Sequence, residues 1–197
     1  LDATGDWPLR NYVPEAALDA LGRRHRSWPD TVRGRIRFVA PDDDINYTVL
    51  GMLILEEHGL AFGPGDVRDM WLRHLPISMT FGPERTLLVK AGINHLSGGR
   101  PEDLADWVEV LNPADEKCGA LIRADAYGYA CAGRPALAAE LAWRDASWTH
   151  RRTGIYGAMF VAAAIAAAAV LDAPLDVFRT ALQFVPRRSR FYRIAAD

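Results

Sequence analysis

Residues 157–171 read GAMFVAAAIAAAAVL, a run with no charged side chain and more alanine than anything else. A segment this apolar has to be hidden, and its length limits how. Crossing a bilayer takes about 20 predominantly apolar residues, and this run falls short. Alanine also contributes little transfer free energy, while its small side chain lets helices approach closely. The run is therefore expected to be a buried helix at the centre of a helical bundle. A central helix needs neighbours, so the chain around it should supply several amphipathic helices.

The rest of the chain carries such signals. Residues 14–21 begin with proline and acid, then turn apolar at helical spacing. Residues 44–58 start with acids, carry a long apolar stripe and stop before Gly59, a plausible left-handed cap. Further helices are expected over 64–75, 84–92, 101–111, 115–130, 135–149, 154–171 and 175–185. Only residues 35–39 (RIRFV) alternate briefly as a strand would, and nothing pairs with them. The irregular, glycine-containing stretch 78–101 is expected to include a loop over one face. The fold class expected is all-α, a compact multi-helix bundle forming a single domain over residues 1–197.

Composition sets the function classes aside rather than naming one. With 50% hydrophobic and 24% charged residues, the 197-residue chain has the balance of a soluble globular protein. Its 23 basic and 25 acidic side chains leave a formal charge of −2, so no polycationic field draws nucleic acid. No membrane segment is expected. Two cysteines, Cys118 and Cys131, are too few for a disulfide framework. With no signal-like start, a cytoplasmic location is the expectation.

Three constellations can carry chemistry. Asp42, Asp43 and Asp44 stand in a row where the long apolar helix begins. One or two acids there are accounted for by capping and the helix dipole. A third adjacent negative charge is repulsive, and a hard divalent cation such as Mg²⁺ or Mn²⁺ would relieve it through carboxylate oxygens. Capping and metal ligation both remain open from the pattern alone. The second constellation is Trp148-Thr149-His150, followed by RRTGIYG at 151–157. His150 either reaches a ligand from between two helices or simply complements a helix C-terminus. The third is CGALIRADAYG at 118–128, where Arg123, Asp125 and Tyr127 lie among small residues, and Gly119 and Gly128 permit close approach. An Arg123–Asp125 pair fixing helix register is the structural alternative to ligand binding. His25, His58, His74 and His95 lack metal spacing, and the arginines at 187, 188, 190 and 193 read as a solvated helix face.

Taken in order, PDDDINYTVLGMLILEEHG at 41–59, GALIRADAYGYA at 119–130 and RDASWTHRRTGIYGAMFVAAAIAAA at 144–168 resemble the ADP-ribosylglycohydrolases. The likeness spans most of the chain after residue 30 and is collinear. It implies an all-α fold around a dinuclear Mg²⁺ (or Mn²⁺) centre and hydrolysis of the glycosidic bond joining ADP-ribose to an acceptor. It implies metal ligation by Asp43 and Asp44 with Asp42 in the hydroxyl position, or by Asp42 and Asp43 with Asp44 there. Asp43 and Asp44 would act in catalysis, with Thr149, His150, Gly119, Arg123 and Tyr127 at the substrate. The partner implied is an ADP-ribose-like small molecule or an ADP-ribosylated side chain.

Two family motifs are missing from these residues: a glycine-rich segment ending in a glutamate ligand, and a GGDxDT-like motif. The fold is therefore expected to lack both terminal segments, leaving about half a metal shell. A homo-oligomer or a complementary chain would be ways to complete it. The rival expectation is a silent or repurposed member that binds a nucleotide-like ligand or serves specialised metabolism.

Overall fold

The computed structural model describes residues 5–20, 28–39, 41–99 and 106–197. They fall in two compact units, Leu1–Asp42 and Asp43–Asp197. The first holds two short helices, α1 (Glu15–Ala20) and α2 (Trp28–Thr31), steadied by surface ion pairs from Arg33 to Asp6 (2.9 Å) and from Arg35 to Glu15 (2.8 Å). Residues 35–39 form turns and bends, and no strand occurs among the described residues.

The second unit carries the helical bundle: α3 (Asp43–His58), α4 (Pro64–His74), α5 (Gly82–Leu96), α6 (Asp125–Ala130), α7 (Pro135–Ala146), α8 (Arg152–Ala168), α9 (Pro174–Leu182) and α10 (Arg190–Ala196). Proline stands in the first turn of α4, α5, α7 and α9, where its missing N–H costs nothing. Gly59 closes α3 at φ +62°, a conformation that favours glycine, and Asp66 accepts the Gly63 N–H at the start of α4 (2.8 Å).

The alanine-rich segment is α8, and it is the central helix. It packs against α6, α7, α9, α10 and the 3₁₀ turn Cys118–Arg123. Gly154, Gly157, Ala158, Ala162, Ala163, Ala166 and Ala167 are buried along it. Approach is close at Gly128 of α6, where a β-carbon would lie 2.6 Å from Ile165 Cβ and 3.0 Å from the Ala162 carbonyl. Small residues on α8 thus set the spacing, and bulk comes from the helices around it. Tyr47, Ile54, Phe62, Trp71, Tyr127 and Leu141 fill the main core, with the Tyr47 and Trp71 rings 4.5 Å apart. No helix among the described residues is long and apolar enough to cross a membrane.

Three expectations need correction. The stretch 78–101 is not chiefly a loop: α5 fills Gly82–Leu96, because Leu87, Leu88 and Ala91 bury a face that outweighs the cost of Gly92 in mid-helix. Residues 115–130 do not form one helix, but a 3₁₀ turn, Cys118–Arg123, followed by α6. Both pieces pack on α3, α7 and α8, and the 3₁₀ turn also reaches α5. Residues 106–111 contain only the 3₁₀ turn Asp106–Val108, while 101–105, Leu21 and His25 lie outside the described residues.

Candidate active site

Two clusters gather the residues of interest. The first is local to the start of α3. Asp42, Asp43 and Asp44 can each offer a carboxylate oxygen, and these oxygens lie within 4.8 Å of one another. Asp43 is half-buried and its two neighbours are exposed. Three adjacent carboxylates in this arrangement suit a hard, oxygen-seeking cation, with room left for further ligands.

The second cluster is buried, and Arg123 is its centre. Its side chain is 1% exposed. Five acceptors surround its five N–H donors: the Asp145 carboxylate at Nε, Glu84 Oε1 (2.6 Å) and the Gly119 carbonyl (3.5 Å) at Nη1, and the Asp145 carbonyl (3.3 Å) and Thr149 Oγ1 (2.9 Å) at Nη2. The guanidinium also sits over the Trp71 ring, 4.8 Å from its centroid. Desolvation pulls its pKa down, but Asp145 and Glu84 outweigh that and raise it.

The other members are ordered by this cation. Tyr127 donates its hydroxyl to Asp145 Oδ2 at 2.6 Å, and burial beside that carboxylate holds its pKa well above the phenolic value. Thr149 Oγ1 is 2.7 Å from His150 Nδ1. Thr149 Oγ1 also accepts from Arg123 and lies 3.5 Å from the Ala146 carbonyl, so the direction of its bond to Nδ1 follows the imidazole tautomer; the other ring nitrogen, Nε2, is buried. That nitrogen makes no hydrogen bond, and Glu84 Oε1 is 3.6 Å away. Desolvation, with a further contribution from the Arg123 charge, lowers the His150 pKa to about 2, so the ring stays neutral. Burial pushes Glu84 the other way, raising its pKa against the pull of Arg123.

Sequence reasoning placed Thr149, His150, Arg123 and Tyr127 together at one site, and they do come together, all buried. Gly119 borders the same cluster: a β-carbon there would lie 2.3 Å from Glu84 Oε1. The Arg123–Asp125 pair that was the structural alternative does not form. Arg123 pairs with Asp145 and Glu84, while Asp125 accepts from Thr48 Oγ1 at 2.9 Å.

Glu84 carries no local signal of this role. In FGPERTLL it looks like an ordinary first-turn acid beside proline, and only Gly119, far along the chain, makes space for it. Asp145 stood in the RDASWTH stretch without a role. Its position five residues before His150 was the available signal.

Tyr47 lies between the two clusters in electrostatic terms. It stacks near Trp71 and accepts the Phe81 N–H at 3.4 Å, and its pKa is raised by burial first, then by Glu84 and, more weakly, by Asp43.

Against this geometry, the family model described as ADP-ribosylglycohydrolase matches residues 7–197. The chain belongs to the ADP-ribosylglycohydrolase family. No curated protein and no solved structure matches it. Members of this family are glycosidases of the ADP-ribosylglycohydrolase type and generally depend on divalent metals. In this family member Asp43 and Asp44 open α3, with Asp42 just before it, and the same helix carries Tyr47 into the core beside Trp71.

Proposed function

We propose that this member of the ADP-ribosylglycohydrolase family is a divalent-metal-dependent hydrolase that removes ADP-ribose, or a related ribosyl group, from an acceptor side chain or small molecule. One observation carries the reading: the carboxylates of Asp42, Asp43 and Asp44 converge within 4.8 Å on a chain of this family. Adjacent like charges repel, and a shared cation lowers that cost.

Asp43 and Asp44, with Asp42, are the residues that would hold Mg²⁺ or Mn²⁺. Bound there, the ion would supply Lewis acidity and a template for ribose hydroxyls and water. The chain's own part is electrostatic and geometric. Asp43 or Asp44 can take a proton from an attacking water. The same carboxylates favour positive charge that develops at an anomeric carbon as the glycosidic bond lengthens. Arg123, Tyr127, Thr149 and His150, with Gly119 making space, form the buried floor that fixes the elements around the substrate. We assign them to holding the site rather than to touching the ADP-ribose, because each of the four side chains is buried and makes at least one hydrogen bond within the cluster, His150 through Nδ1.

The test is a calorimetric and thermal-shift titration of the full chain with MnCl₂ or MgCl₂, then with ADP-ribose, followed by hydrolysis assays on ADP-ribosyl arginine and serine. The expected result is metal-dependent binding of ADP-ribose, lost in Asp43→Asn at unchanged melting temperature of the metal-free protein. ADP-ribose binding that ignores metal and survives Asp43→Asn would support a silent, nucleotide-binding member instead.

A further inference from the structure

Thr48 stands one turn beyond Asp44 on α3, and its hydroxyl has two acceptors, the Asp44 carbonyl at 3.0 Å and Asp125 Oδ1 at 2.9 Å. It has one proton to give. In the regular α-helical pattern the Asp44 carbonyl already receives the Thr48 N–H, and an ionised carboxylate is the stronger acceptor. The hydroxyl proton therefore goes to Asp125, and the bond runs from the acidic turn of α3 to the first residue of α6.

Both ends of that bond are anchored. Asp125 Oδ1 also accepts the Ala126 N–H at 2.8 Å, which orients the carboxylate. Two residues on, Tyr127 ties α6 to Asp145 and so to the Arg123 cluster. On α3, Gly51 lies nearly a turn past Thr48, and a β-carbon there would be 2.9 Å from Ala126 Cβ, so the two helices touch backbone to side chain just below the bond. A chain of contacts thus links the buried cluster to the acidic turn: Asp145, Tyr127, Asp125, Thr48, Asp44.

We propose that Thr48 and Asp125 are a positioning pair for the acidic turn, holding Asp43 and Asp44 in the register that a divalent cation requires. The proposal rests on the metal-dependent reading above and adds to it two residues that touch neither metal nor substrate. Ligating carboxylates need such outer partners, since small displacements of a hard-cation ligand are costly. A first-turn acid on α6 could serve the helix dipole alone, but that role has no use for the Thr48 hydroxyl.

Thr48→Val removes the hydroxyl and keeps the shape, and Thr48→Ser returns it. In the metal-free full chain, amide hydrogen exchange at residues 47 and 48 should quicken by about tenfold in Thr48→Val, the size of one hydrogen bond to a charged group, and recover in Thr48→Ser. Mn²⁺ affinity, read by electron paramagnetic resonance of the free ion, should weaken by a similar factor in Thr48→Val and recover in Thr48→Ser, with melting temperatures near wild type. Asp125→Asn, a weaker acceptor of the same shape, should move both readouts in the same direction. Unchanged exchange in Thr48→Val overturns the pair, as does weakened Mn²⁺ binding that Thr48→Ser does not restore. If the wild-type chain takes up no Mn²⁺, the metal reading fails by itself and the exchange measurement still decides whether the pair holds the turn.

Discussion

At Arg123 one cation faces two buried carboxylates, and the loss of either side is unequal. Arg123→Leu would leave Glu84 and Asp145 buried without their partner, and an uncompensated buried charge costs about 3–5 kcal/mol. That variant should lose most of its stability in urea unfolding at neutral pH. Gly119→Ala attacks the same place sterically. Its β-carbon would lie 2.3 Å from Glu84 Oε1, which cannot swing aside without leaving Arg123. A cost of about 1–3 kcal/mol is expected by the same measurement.

His150 and Glu84 give opposite pH dependences. The folded state does not protonate His150 until about pH 2, whereas the unfolded chain does so near 6.5. Its contribution is complete above pH 6.5 and is drawn down as the pH falls, because the unfolded state gains the proton first. Glu84, raised by burial, contributes at low pH and loses that contribution as the pH rises through its folded pKa. Glu84→Gln removes the opposing effect. Its stability should then fall below pH 6.5 by up to about 1.4 kcal/mol per pH unit. Urea midpoints from pH 8 to pH 5 read this out, and a flat profile would contradict a neutral buried His150.

Among the elements, α8 decides the packing. Its neighbours approach as closely as they do because alanine and glycine line the contact, so added volume has nowhere to go. Gly128→Ala would drive a β-carbon to 2.6 Å from Ile165 Cβ and 3.0 Å from a backbone carbonyl, neither of which can rotate away. A loss of about 1–3 kcal/mol is expected in chemical denaturation. Gly92→Ala, where a β-carbon meets nothing within 4 Å, is the control and should be neutral or mildly stabilising.

The helix positions were largely legible in the sequence, since Pro64, Pro135 and Pro174 mark helix starts and Gly59 marks an end. The boundaries that failed were those where tertiary packing overrides local signal. Leu87, Leu88 and Ala91 hold α5 together through Gly92, and the chain switches from 3₁₀ turn to α6 at Ala124, between Arg123 and Tyr127, which both bind Asp145.

At the scale of the whole molecule, both hydrophobic clusters lie within Asp43–Asp197. A chain of residues 43–197 should therefore fold cooperatively by itself, with helical circular dichroism and a single urea transition. A broad, non-cooperative transition would mean that residues 1–42 are needed for the bundle.

The sequence by itself determined the family, the all-α class, the buried alanine helix and the acidic triplet, because each is written in contiguous residues. Period, caps and a run of like charges are local properties, and local properties survive the reading of a single chain. Only the tertiary structure decided that Arg123 pairs with Glu84 and Asp145 rather than Asp125, and that Thr48 binds Asp125. Those partners are separated by 22 to 77 positions. A carboxylate at such a distance carries no mark of the cation it will meet. What selects it is the space a glycine leaves, the water that burial removes and the donors that then have nowhere else to go.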